Sequence, residues 1–157
     1  MNLGSWLLWG FVGTIVLTSI MAGSQGLHLT RMNLPYMLGT IFTPSRDRAK
    51  LLGFLVHVLN GWAFSLVYVA SFHALGKATW WLGGIVGLVH AAFVLTAGMQ
   101  IIPGLHPRMA SEQHGPTVVR RLEPPGFLAL NYGVRTPISV AVAHVAFGML
   151  LGAGYAL

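Results

Sequence analysis

Residues 53–68 read GFLVHVLNGWAFSLVY, and residues 140–155 read VAVAHVAFGMLLGAGY. Both stretches contain the pattern His-x3-Gly-x3-small-x2-Tyr. On an α-helix, residues three and four positions apart share a face, so the histidine, the small residues and the tyrosine form one stripe in each copy. Both copies lie in apolar runs that are too long for a helix in a soluble core. The pattern therefore predicts two membrane-spanning helices with matching small-residue faces.

The composition is that of an integral membrane protein. Of the 157 residues, 55% are hydrophobic and only 8% are charged, whereas about a quarter of the residues in a soluble domain are charged. The chain contains no cysteine, which excludes disulfides and thiol chemistry. The net charge of +6 would suit nucleic acid, but basic residues that border apolar spans usually report membrane orientation. We therefore expect no nucleic-acid partner.

Four apolar stretches are each long enough to cross a bilayer, which takes about 20 helical residues. They predict an all-α, four-helix integral membrane bundle that forms a single domain over residues 1–157, with long loops at 28–50 and 104–136. The first stretch lacks a basic leader and is longer than the apolar core of a signal peptide, so we expect it to be retained. The predicted spans are 4–27, 51–75, 79–103 and 137–157.

Basic residues and tryptophans mark opposite ends of the predicted bundle. Eight of the nine Lys and Arg residues lie in the two long loops, and only Lys77 lies in the short connection. By the positive-inside rule, we expect the long loops in the cytoplasm and both termini outside, as in a bacterial inner membrane. The loop residues are Arg31, Arg46, Arg48, Lys50, Arg108, Arg120, Arg121 and Arg135, and the tryptophans of the opposite aromatic belt are Trp6, Trp9, Trp80 and Trp81.

The two halves of the sequence resemble a duplicated helical hairpin. Shifted by 87 positions, His57, Gly61 and Tyr68 fall on the His, Gly and Tyr of the second copy. Each unit holds two spans, so the copies would be related by a pseudo-twofold axis along the membrane normal. The sequence thus predicts a tandem repeat of two-helix hairpins. Pairs of small residues also permit close helix packing, within the chain or with another subunit. These pairs are Gly83 with Gly87 and Gly148 with Gly152.

The first candidate site is the pair His57 and His144. In the repeat, both imidazoles lie about 10 Å inside the cytoplasmic boundary and face a common axis. Such a pair could ligate a haem iron, a metal ion or a quinone oxygen, or it could form hydrogen bonds across a helix interface. Arginines below the pair could bind propionates or phosphates. The candidate cofactor-binding residues are His57, His144, Arg48, Arg135, Tyr68 and Tyr155, with haem b or a quinone as the cofactor.

The sequence offers two further candidate sites, one in the third span and one in the loop that follows it. His90 lies in the middle of the third span, and counting residues places it roughly 10 Å deeper than the pair. It could extend a proton path, or it could bond a hydroxyl or carbonyl group of a neighbouring helix. After this span, His106, Met109 and His114 offer the ligand types that suit copper(I), while the nearby arginines suit lipid headgroups and membrane orientation.

All four spans lack Asp and Glu, and the chain lacks the motifs of metalloproteases, serine hydrolases and nucleotide-binding enzymes. We therefore expect a non-enzymatic accessory or structural subunit of a larger membrane complex of the respiratory or photosynthetic type. Its partners would be membrane lipids and other membrane-protein subunits. One alternative is a b-type haem or quinone carrier that uses His57 and His144. Another is a small oligomeric transporter or channel lined by His57, His90 and His144.

The pattern of four short spans, with His-x3-Gly-x3-small in the second and fourth, resembles small inner-membrane proteins of bacteria. The resemblance covers most of the chain. It implies a four-helix membrane fold and a bacterial inner-membrane location, and it brings no activity or site residues.

Overall fold

A computed structural model describes residues 1–111 and 114–157, so Glu112 and Gln113 of the second long loop lie outside the described residues. Four helices are long and apolar enough to cross a membrane, which confirms the predicted all-α, four-helix architecture. A fifth, short helix lies in the first long loop. In chain order the helices are α1 (Leu3–Gly26), α2 (Leu34–Gly39), α3 (Arg46–Ala74), α4 (Trp80–Leu105) and α5 (Thr136–Gly154).

Local sequence signals explain most of the helix ends. Asn2, Asn33 and Thr79 cap α1, α2 and α4, because each side-chain oxygen accepts a hydrogen bond from the backbone N–H three residues later. Pro137 lies in the first turn of α5, where no helical hydrogen bond is lost. The helix α3 begins at Arg46, before the predicted apolar span, because Arg, Lys and Ala are good helix formers.

The last helix, α5, lies between α1 and α4 and packs along both of them. Gly83 of α4 and Gly148 of α5 approach so closely that a methyl group on either would overlap the carbonyl group of the other. The small-residue pairs of the sequence therefore pack against each other within the chain. The helix α3 packs against α1 and, near its beginning, against α2.

The two halves do not pack equally, so the tandem repeat stays a prediction. A twofold axis would make the contact between α1 and α5 equivalent to the contact between α4 and α3. However, α1 and α5 pack along each other, whereas α3 and α4 leave a groove of about 330 Å³ lined by residues such as Phe64, Val89 and Phe93. His28 and His106, which the repeat would pair, also differ, since His28 is exposed and His106 is buried.

Both long loops fold onto the same end of the bundle, which we call the basic end. The hydroxyl oxygens of Thr30 and Thr136 lie 2.7 Å apart, and Arg31 donates its backbone N–H to the carbonyl oxygen of Tyr132 at 2.7 Å. Arg31 also forms a salt bridge with Glu123 at 3.0 Å. The opposite end, which we call the tryptophan end, holds the first turns of α1 and α4, where Trp6, Trp9, Trp80 and Trp81 lie.

Candidate functional site

His57 of α3 and His144 of α5 both face the interior of the bundle. Each residue is 7% exposed, and both line one cavity of about 70 Å³, which we call the central cavity. The cavity is bounded by α1, α3, α4 and α5, and it also contacts Thr14 and Asn60. The structure therefore brings the two histidines together, with polar groups from a third spanning helix and from α3 itself around them.

His90 of α4 joins the pair as a third imidazole. Its ring lies edge to face with the ring of His144, with centroids 4.7 Å apart and planes at 87°, and it also lines the central cavity. The expected depth difference of roughly 10 Å is therefore wrong. His90 is ten residues from Trp80 and His144 is ten residues from Gly154, so both lie equally far from the tryptophan end.

Hydrogen bonds fix part of the proton arrangement in this cluster. His144 Nδ1 lies 2.8 Å from the carbonyl oxygen of Val140. Because a carbonyl only accepts, Nδ1 carries the hydrogen, and Nε2 of the neutral ring keeps its lone pair. His90 Nδ1 lies 3.0 Å from the hydroxyl of Tyr68, which is the hydroxyl contact proposed for His90 as one alternative. Tyr68 is thus linked through His90 to His144, one of the two predicted histidines.

Two ring nitrogens of the cluster are buried and unpaired. His57 Nδ1 and His90 Nε2 have no hydrogen-bond partner among residues 1–111 and 114–157. An unpaired polar atom in an apolar interior is costly, and a cavity of this size has room for a few water molecules when polar groups surround it. Asn60 also borders the central cavity, whose wall is otherwise mostly apolar.

A second, smaller cavity of about 20 Å³ lies next to the central cavity on the side of the basic end, and we call it the lower cavity. Met32, Val140 and Thr18 line it, together with residues that it shares with the central cavity. Five residues border both spaces. They are Leu17, Leu34, His57, Val94 and His144.

The helix α4 is irregular beside the two cavities. Residues Val94–Gly98 form a π-helical segment, which begins one turn after His90 and ends one turn before Pro103. Its first residue, Val94, lines both cavities. Such π-segments occur frequently at functional sites of helical proteins.

The other predicted cofactor ligands lie elsewhere. Arg48 and Arg135 are exposed at the basic end, and neither is among the residues that line the two cavities. Each arginine lies nine residues before its histidine, about 13 Å along a helix. A ligand small enough for the central cavity of about 70 Å³ would therefore not reach from the histidines to the arginines. Tyr155 lies at the tryptophan end, where its hydroxyl oxygen is 3.0 Å from His73 Nε2 and accepts the backbone N–H of Asn2 at 3.1 Å.

The predicted copper ligands do not form an open site. The ring of His106 is 2% exposed; its Nε2 lies 2.9 Å from the carbonyl oxygen of Met37, and its Nδ1 accepts the backbone N–H of Arg108. Both nitrogens are thus engaged within the fold. Met109 is buried among apolar residues, whereas His114 is exposed. Over the two described ranges, no group of three or more His, Asp or Glu side chains is arranged to hold a metal ion.

Asn60 and Leu34 are among the residues of the site that sequence reasoning missed. Asn60 is a polar side chain in the middle of a spanning helix, and the rarity of such residues in membranes is a signal that could have identified it. Leu34 lies in a loop rather than in a span, and a single apolar residue in a loop carries no comparable signal. No protein-family model, curated protein or solved structure matches this chain, so its function is argued from the site alone.

Proposed function

We propose that the chain is a non-enzymatic membrane subunit that transfers protons through His57, His144 and His90. The observation that carries the proposal is the meeting of three imidazoles at one largely apolar cavity, where two buried ring nitrogens have no partner among the described residues. Ionisable side chains inside a membrane are costly and usually serve a function there. Imidazole is the side chain best suited to proton exchange near neutral pH.

The geometry supports proton transfer because donors and acceptors alternate around the cavity. The lone pair on His144 Nε2 can accept a proton, since Nδ1 donates to Val140. His90 and Tyr68 share one hydrogen bond but hold two exchangeable hydrogens, so one donor hydrogen is always free. Water in the central cavity would connect these groups to His57 Nδ1. The only carboxylate of the spanning helices, Asp47, lies in the first turn of α3, so among the described residues histidines are the only ionisable side chains that line the central cavity.

Proton flux into vesicles tests this function. The purified chain would be reconstituted into liposomes that contain a pH-sensitive dye, and a potassium diffusion potential would drive protons inward. We expect flux above that of protein-free liposomes, and we expect it to fall to that background in His90→Gln and His144→Gln. His28→Gln is the matched control, because His28 is exposed outside the bundle. Wild-type flux equal to background, or unchanged flux in both cavity variants, would refute the proposal.

The cavity volume favours proton transfer over the haem and quinone alternatives at this pair. About 70 Å³ accommodates a few water molecules, whereas a porphyrin or a quinone ring needs considerably more room. The contact between the rings of His90 and His144 also occupies the space that a planar cofactor would need. An absorption spectrum of freshly purified protein tests this, because a bound b-type haem would give visible bands.

The loops support the proposal that the chain works within a larger membrane complex. Several large apolar side chains of the loops are exposed although they lie outside the spanning helices. A partner subunit would cover them, which is typical of obligate interfaces. The side chains are Val118, Val119, Phe127 and Val134, with exposed fractions from 64% to 81%. We expect companions at fixed stoichiometry after purification in mild detergent, and a stable isolated monomer would count against this assembly.

We also propose that the basic end faces the cytoplasm of a bacterial inner membrane. The support is that eight of the nine Lys and Arg residues lie at that end, in the two long loops and the first turns of α3. Because the chain lacks cysteine, one introduced cysteine at an exposed position of each end reports sidedness cleanly. Ser45→Cys should be labelled by an impermeant thiol reagent only in inverted vesicles, and Leu75→Cys only in spheroplasts. The reverse pattern would overturn the orientation.

A further inference from the structure

A separate cavity of about 200 Å³ lies at the basic end, between the two long loops and α2. We call it the arginine cavity, because Arg31 of the first loop and Arg121 of the second loop both line it. By contrast, no arginine or lysine is among the described residues that line the central and lower cavities. The arginine cavity is therefore a candidate site for an anionic group, and the proposed proton transfer does not use it.

Hydrogen bonds within the fold fix the walls of the arginine cavity. The backbone N–H of Leu122 donates to the carbonyl oxygen of Arg108 at 3.0 Å, which holds Leu122 beside Met109. On the opposite wall, Asn33 Oδ1 accepts the backbone N–H of Tyr36 at 2.9 Å and caps α2. Because these wall residues are ordered before a ligand arrives, little conformational entropy is lost when one binds.

The charges of the cavity do not cancel. Arg31 forms a salt bridge with Glu123 at 3.0 Å and also donates to the carbonyl oxygen of Asn131. The Glu123 carboxylate, which lines the cavity as well, is thus balanced by one guanidinium. Arg121 Nε donates to the carbonyl oxygen of Val118 at 2.7 Å, and its two Nη groups form no hydrogen bond or salt bridge with any residue that the structure describes. The positive charge of Arg121 is therefore left for a ligand.

The donors that line this cavity match the oxygens of a phosphate group. The fork of a guanidinium binds two phosphate oxygens at once. The hydroxyl of Tyr36 and the amide of Asn33 are further donors on the wall. The apolar part of the wall, which includes Met37 and Met109, suits the carbon atoms next to a phosphate. Basic pockets of this kind at the cytoplasmic side of membrane proteins bind the headgroups of anionic lipids.

We propose that the arginine cavity binds a phosphate group, with Arg121 as its main ligand. The headgroup of an anionic lipid and a soluble phosphate ester both supply this group. A phosphate bound here would connect α2, which carries Tyr36, to the second long loop, which carries Arg121. The proposal is independent of proton transfer, because none of its residues lines the central cavity.

Native mass spectrometry of the chain in detergent tests binding of a lipid. The probes are phosphatidylglycerol and a diacylglycerol with the same acyl chains, which lacks the phosphate. We expect one phosphatidylglycerol to bind per chain, and Arg121→Gln to weaken this binding by about tenfold or more, which corresponds to about 1.4 kcal/mol. Because Arg121 is exposed and its described hydrogen bond stays within its own loop, the variant should keep the melting temperature of wild type.

Arg46→Gln is the matched control. Arg46 is an exposed arginine at the same end of the bundle, and it is not among the residues that line the arginine cavity. This variant removes the same charge, so it measures the general attraction between the basic end and anionic lipids. Equal losses of binding in Arg46→Gln and Arg121→Gln would overturn the site.

Isothermal titration calorimetry with glycerol phosphate tests the soluble source. Binding of glycerol phosphate that is weakened in Arg121→Gln would support a soluble ester as the ligand. Binding of phosphatidylglycerol in preference to diacylglycerol, without binding of glycerol phosphate, would support a lipid headgroup. If neither phosphate compound binds in a manner that depends on Arg121, the proposal is wrong.

Glu123→Gln adds a test in which binding should improve. The substitution removes a carboxylate that repels phosphate and releases Arg31 from its salt bridge. We expect binding of the phosphate compound to strengthen by about two- to fivefold, as for the removal of a screened surface charge. Weaker binding in Glu123→Gln than in wild type would overturn the proposal, because the carboxylate would then hold a cationic group.

Discussion

The rings of His90 and His144 meet edge to face with centroids 4.7 Å apart, in the interior of a bundle of apolar helices. Neither ring has a carboxylate beside it, because the one acidic residue of the spanning helices, Asp47, lies in the first turn of α3. The contact is possible because α4 and α5 approach closely at their glycines. The same close packing that stabilises the helix pair therefore brings two imidazole rings, each with an exchangeable proton, into contact.

Removal of the Tyr68 hydroxyl should affect both stability and proton transfer. In Tyr68→Phe, His90 Nδ1 loses its partner at 3.0 Å, and an unpaired buried group of this kind costs about 1–3 kcal/mol. We expect a lower melting temperature in detergent and a reduced flux in liposomes. Tyr36→Phe removes a hydroxyl from a half-buried tyrosine of α2 and should leave the flux unchanged. Equal flux in Tyr68→Phe and wild type would remove Tyr68 from the path.

Close packing of α4 and α5 gives a second prediction. In Gly148→Ala the new methyl group would overlap the backbone of Gly83, so the helices must separate, and overpacking of this kind costs about 1–3 kcal/mol. Gly23→Ala is the matched control, because a methyl group there meets nothing within 4 Å. It should be neutral or stabilising by up to about 1 kcal/mol, since alanine is the better helix former. Unfolding by SDS in mixed micelles gives the free energy of unfolding of both variants. Equal losses in Gly148→Ala and Gly23→Ala would contradict the packing argument.

The fold could be predicted from the sequence because each of its determinants is local. The length of the apolar runs gives the spans, and the glycine pairs indicate where backbones can approach. The structure adds the partners: Gly83 packs against Gly148 within the chain rather than against another subunit. The short helix α2 was not predicted, because six residues are too few for a periodic pattern. Its position depends on tertiary bonds from His106 and Arg108.

The candidate site was predicted only in part. The matching stripes led to His57 and His144, which do share a cavity. His90 was misplaced because its depth was counted along predicted spans, while helices of unequal length align at the tryptophan end. Arg48 was included because it precedes His57 on the same helix, yet a rise of 1.5 Å per residue separates the two by about 13 Å. Sequence gives the order of residues along a helix more reliably than their depth relative to other helices.

Acid should weaken the anchor of α2 through His106. Burial lowers the pKa of His106, the hydrogen bond to the Met37 carbonyl opposes this effect, and the charge of Arg108 lowers the pKa further. Because the folded pKa lies below the unfolded value of about 6.5, the unfolded state binds more protons between these two values. The contribution of His106 to stability is therefore complete above about pH 6.5 and is lost as the pH falls toward the folded pKa.

Stability measured at pH 5 and pH 7.5 checks this prediction. We expect the loss of stability on acidification to be smaller in His106→Gln than in wild type, although the variant is less stable at both pH values because it replaces a buried ring. His114→Gln is the control, since His114 is an exposed histidine of the same loop, and its pH dependence should equal that of wild type. A wild-type pH dependence in His106→Gln would assign the acid sensitivity to other groups.

Two of the contacts at the basic end have similar lengths, one buried and one exposed, and the buried one should contribute more to stability. Thr30 and Thr136 are 4% and 0% exposed, and their hydroxyl oxygens lie 2.7 Å apart. Thr30 Oγ1 also accepts the backbone N–H of Met32 at 3.0 Å. Thr136→Val keeps the shape of the side chain but removes one partner, which should cost about 1–2 kcal/mol.

The exposed contact is the salt bridge between Arg31 and Glu123, whose side chains are 68% and 46% exposed. Solvent screens such a pair, so Glu123→Gln should cost less than about 1 kcal/mol. A double-mutant cycle of Thr30→Val and Thr136→Val, measured by unfolding in mixed micelles, would give the coupling between the hydroxyls directly. A larger loss in Glu123→Gln than in Thr136→Val would mean that the exposed ion pair, rather than the buried hydroxyl pair, holds the loops together at the basic end.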